Sequence, residues 1–84
     1  MTTTCAIIQT YEFDRTTGEA CEGTGAWASD LRLGFDDGTS DLFTSIEFDH
    51  EPTAEEATAE LRALALVERG HALDKSTRAA IEAL

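Results

Sequence analysis

Basic residues are what this chain has least of: six Lys and Arg stand against seventeen Asp and Glu, a formal net charge of −11 over 84 residues. Direct binding to nucleic acid is thereby excluded as an expectation, because phosphate contacts need a basic patch. Adsorption to an anionic membrane is disfavoured for the same reason. No stretch approaches the length of a membrane span, and no basic segment precedes an apolar run after Met1. The two cysteines, Cys5 and Cys21, form no disulfide framework and match no metal-ligand spacing. They read as buried small hydrophobes, and a reducing, cytoplasmic setting is expected, whether in a cell or in a host infected by a virus.

What is present is enough for one small core. Hydrophobic residues make up 42% of the chain, too many for a disordered acidic tail. At this length residues 1–84 read as a single domain. In the first half, Cys5, Ile7, Tyr11 and Phe13 alternate with Ala6, Ile8, Thr10 and Glu12, as in a strand. The odd-numbered set is the expected core face. A turn is expected at residues 14–18, and Gly23 and Gly25 interrupt the chain before the next strand.

A second hairpin follows. Trp27, Ser29, Leu31 and Leu33 alternate against polar and small residues, and so do Leu42, Thr44, Ile46 and Phe48. A two-residue type I′ turn at Asp37-Gly38 would pair Leu33 with Leu42, Leu31 with Thr44, Ser29 with Ile46 and Trp27 with Phe48. A three-residue loop would set Leu33 opposite Asp41 and spoil the alternation. The outer face of the sheet would then carry Ile8, Ala28 and Phe43.

The C-terminal half reads as helix. Thr53 and Glu56 have capping-box spacing, with Pro52 just outside, and a helix is expected from Thr53 to Arg69. Ala57, Leu61, Leu64 and Ala65 give it an apolar stripe, and Gly70 is placed to end it. Asp74 would cap a shorter helix that buries Ile81 and Leu84. The expected fold is α+β: a three-stranded antiparallel β-meander packed against one main α-helix, with a short C-terminal helix. Its core would hold Trp27, Leu31, Leu33, Leu42, Ile46, Phe48, Leu61 and Leu64.

Catalytic signatures are missing. His50 and His71 flank the first helix at opposite ends in polar surroundings, which suits surface or cap residues. The run from Asp36 to Asp41 lacks the spacing and terminal Glu of a helix–loop–helix calcium site, and no glycine loop opens onto a Lys as a phosphate loop would. No enzyme activity, cofactor or metal is expected.

Between Arg32 and Arg62 there is no Lys or Arg, while that stretch holds Asp36, Asp37, Asp41, Glu47, Asp49, Glu51, Glu55, Glu56 and Glu60. Glu56 and Glu60, one helical turn apart and both expected to be exposed, repel by roughly 0.2–0.5 kcal/mol. These acids, joined into one band by Asp49 and Glu51 and supplemented by an exposed Phe43, are the candidate partner-binding residues.

In length, charge and strand–helix layout the chain resembles the small acidic anti-CRISPR proteins of phages and mobile elements. No motif is shared, so the resemblance carries over no functional residue. It implies a partner class: a basic protein or nucleoprotein complex, a Cas effector above all, whose nucleic-acid groove the acids would occupy. A homodimer through the outer sheet face is a further expectation. Two other readings share the composition. One is a salt-adapted acidic protein with no mimicry role, which one Lys against five Arg also fits. The other is an antitoxin or immunity-type protein that neutralises a basic toxin.

Overall fold

The computed structural model describes residues 1–69 and 72–84. Three strands, β1 (Thr3–Glu12), β2 (Trp27–Phe35) and β3 (Ser40–Phe48), are followed by helices α1 (Ala54–Arg69) and α2 (Lys75–Glu82). The strands form one antiparallel sheet in the order β1-β2-β3, so the meander of an α+β domain is what the chain builds. Both helices sit on the same face. Leu31 and Leu33 of β2 are buried there with Leu61 and Ala65 of α1 and Ile81 of α2, and Ile8, Phe43, Ile46 and Leu84 close around them. The short helix is thus a full partner in the core. It is held in place by Asp74, which accepts the Thr77 amide at 2.8 Å as its N-cap, and by a buried contact between the Thr3 and Thr77 hydroxyls at 2.7 Å.

The hairpin differs from expectation at its tip and agrees at its base. A type I′ turn needs positive φ at both central residues, yet Gly38 has φ 85° while, among the described residues, none other than glycine has positive φ. The Gly38 amide donates to the Phe35 carbonyl, and the Phe35 amide donates to that of Thr39. This is a three-residue loop with Gly38 in the left-handed position. It sets Leu33 opposite Asp41, the pairing that the alternation disfavours. A bulge repairs the error: opposite Leu31 and Arg32 the partners jump from Thr44 to Leu42, leaving Phe43 as the extra residue. Beyond it Leu31 meets Thr44, Ser29 meets Ile46 and Trp27 meets Phe48, as expected.

The bulge exchanges two neighbours. Phe43 is half-buried against the core and is not an outer-face contact point. Leu42, expected in the core, is 48% exposed on the outer face beside Arg32. The face of β1 is also the reverse of that expected. Ala6 lies opposite Leu33, and Ile8 opposite Leu31, so the even-numbered residues point to the core, whereas Ile7 is 46% exposed. Both cysteines are exposed, not buried. Cys5 shares a register position with Gly34, where its sulfur lies so near that a Cβ on Gly34 would come within 2.6 Å of it. Trp27, Phe48 and Leu64 are half-buried rather than fully buried.

Two local readings held in part. Thr53 accepts the Glu56 amide at 3.0 Å, one half of a capping box, but the Glu56 carboxylate turns to His50 instead of closing the other half. Asp14 and Gly18 do form the turn after β1, with Gly18 donating to the Asp14 carbonyl. The proposed stop at Gly70, like His71, lies outside the described residues.

Candidate protein-binding surface

The acidic residues fall into two groups, one at each end of β3. At the hairpin tip, Asp36, Asp37 and Asp41 are exposed. Asp37 accepts the Thr39 hydroxyl at 2.6 Å and its amide at 3.0 Å, and these bonds hold its carboxyl below the usual range. Asp41 accepts the amide of Leu42 at 2.9 Å. The second group gathers where β3 meets α1: Asp49, Glu51, Glu55, Glu56 and Glu60. Seven strand residues, 42–48, lie between Asp41 and Asp49, a span of about 26 Å at the usual rise. The single continuous band expected from sequence is therefore divided.

Within the second group an imidazole holds two carboxylates. His50 Nδ1 lies 2.7 Å from Asp49 and Nε2 lies 3.0 Å from Glu56, with the Phe48 ring edge-on at 5.8 Å. The bond to Asp49, then that to Glu56, raises the His50 pKa above its ordinary value, and the His50 bond lowers that of Asp49. This clasp ties the end of β3 to the first turn of α1. Glu56 is accordingly half-buried, whereas Glu51, Glu55 and Glu60 are exposed. No single signal in the sequence announced the clasp, since His50 and Glu56 are six positions apart and follow no helical or strand period.

Glu47 belongs to neither group. It points to the outer face and pairs with Arg15 at 3.0 Å, while Arg15 also covers the Phe13 ring. Around it the loop after β1 shields one end of the outer face, burying Phe13, Ala26 and Ala28 beside Tyr11. The other end, with Cys5, Ile7 and Leu42, is open. Asp36, Asp41, Glu51, Glu55 and Glu60 reach no Lys or Arg among the described residues. Nor do three His, Cys, Asp or Glu side chains converge as a metal site would need, among the described residues, and no helix is long and apolar enough to cross a membrane.

What the arrangement offers is a set of exposed carboxylates, of which Asp36, Asp41, Glu51, Glu55 and Glu60 have no Lys or Arg partner among the described residues. Such a surface attracts cationic groups over a Debye length. No protein-family model, curated protein or solved structure matches this chain.

Proposed function

We propose that this chain is a protein-binding inhibitor that presents its carboxylates to the nucleic-acid groove of a basic partner, a CRISPR–Cas effector in the first instance. The observation that carries this reading is the set of exposed acids at both ends of β3 that reach no Lys or Arg among the described residues. Like charges held together strain a fold unless something outside it answers them. Two groups about 26 Å apart would reach separate parts of one groove, each where phosphates are otherwise received.

Charge steering acts mainly on the rate of encounter and weakens steeply with salt. Glu55 and Glu60 are the residues to reverse, because Glu56 is committed to His50. Glu55→Lys with Glu60→Lys should leave the fold intact and slow association with a basic effector more than it speeds dissociation. The measurement is surface-plasmon binding to a purified Cas effector, paired with displacement of its DNA in a gel-shift assay. Unchanged affinity at low salt would mean that these acids serve hydration alone.

A further inference from the structure

The two edges of the sheet are finished differently. Along β1 the free edge is guarded at both ends. Ser76 of α2 accepts the Thr3 amide. At the far end the loop folds back, with the Cys21 amide donating to the Glu12 carbonyl and the Asp14 amide to that of Glu19. Along β3 nothing comparable is seen at Ser40, Asp41, Leu42 or Thr44–Phe48: no backbone hydrogen bond joins these positions to described residues outside the hairpin.

The ladder geometry also shows which way the β3 edge faces. Phe35 and Thr39 are hydrogen-bonded partners, and bonded and non-bonded pairs alternate along an antiparallel ladder. Arg32 and Leu42, three pairs on, are therefore a non-bonded pair, and the Leu42 amide points away from β2. It is met only by the carboxylate of its own neighbour, Asp41. Ser40, Asp41, Leu42, Ser45 and Glu47 are all exposed along this strand.

We infer that the open edge of β3 pairs with an extended, basic segment of a partner protein, which adds a fourth strand to the sheet. Charge selects this occupant. Acids stand at the start of the edge (Asp41), near its end (Glu47) and just beyond it (Asp49). Glu47 shares its charge with Arg15, and Asp49 shares its own with His50; Asp41 has no cation partner among the described residues. A second copy of the chain would bring another −11 to the same edge, so self-pairing is opposed where a Lys- or Arg-bearing strand is favoured. The acids steer the segment, and the main chain of β3 holds it.

This inference rests on the proposed recognition of a basic partner, and the test separates the two. The isotope-labelled full chain is titrated with two nine-residue peptides, matched to the length of β3. One alternates Lys with Val. The other has the same number of Lys but carries Pro at alternate positions, so that it bears equal charge and cannot join a ladder. The strand-forming peptide should bind at least about tenfold tighter, the difference that a few main-chain hydrogen bonds make. It should also slow exchange of the Leu42 amide and give inter-strand contacts along β3. Equal binding of both peptides, with shifts centred on Glu55 and Glu60, would overturn the edge pairing and leave the carboxylate reading standing. Binding of neither would sink both. Dimerisation through β3 before any peptide is added would also overturn the proposal.

Discussion

At the scale of single residues, the polar contacts inside the fold are few and consequential. The Thr3 and Thr77 hydroxyls, each on a residue 7% exposed, satisfy one another at 2.7 Å. Removing either alone strands the other, which costs about 1–3 kcal/mol for a buried polar group. Thr3→Val and Thr77→Val should each destabilise by that order, whereas the double variant should recover much of the loss. Chemical denaturation of the four proteins measures the coupling. His50 gives a second expectation. Its folded pKa is raised by Asp49 and Glu56, so the clasp contributes fully below the ordinary value of 6.5 and is lost as pH rises through the raised one. Proton NMR of the imidazole should titrate above that value, and Asp49→Asn with Glu56→Gln should bring it back. The lowered carboxyls of Asp37, Asp49 and Asp74 act at the opposite end: their contribution is present above 3.8 and fades as acid is added.

At the scale of elements, the lesson lies in the second hairpin. Composition and alternation located β2, β3 and α1, and the caps Thr53 and Asp74 were legible because capping chemistry is local. Register was legible only from Leu31 back to Trp27. The turn rule and the alternation rule both favour a two-residue turn, but Asp37 keeps an ordinary negative φ, and the surplus residue is absorbed at Phe43. A bulge leaves no period of its own in a sequence. The facing of β1 was hidden for another reason: Ala6, Ile7 and Ile8 are apolar at both parities, and the choice is made by α2, far away in sequence. The acidic site was legible as a list of residues but not as a shape, since strand length, not sequence order, parts its two halves. Side-chain truncation can check the resulting core. Leu61→Ala, at a fully buried position, should cost about 2–5 kcal/mol. Leu64→Ala and especially Leu42→Ala should cost less, in that order, as read by thermal or denaturant unfolding.

At the scale of the whole molecule, charge and size oppose one another. A net charge of −11 is held on a body with a radius of gyration of 13.4 Å, and few arginines answer it. Folding in dilute buffer then discriminates between the inhibitor and the salt-adapted readings. A dedicated inhibitor should show its full helix and sheet signal by circular dichroism at low ionic strength, where the Debye length is about 30 Å. A salt-adapted domain should be unfolded there and gain structure only near molar salt, where that length is about 3 Å.

The bond between Thr3 and Thr77 spans 74 positions of the chain, and Ile81 completes the buried cluster. During synthesis the first strand must therefore wait for the last helix. Hairpin and α1 can form as they emerge, but the core stays open to water until α2 has left the ribosome, so the domain closes only once α2 has been made. For a chain so acidic the wait is safer than for most, because nascent copies repel one another while their apolar faces are still bare.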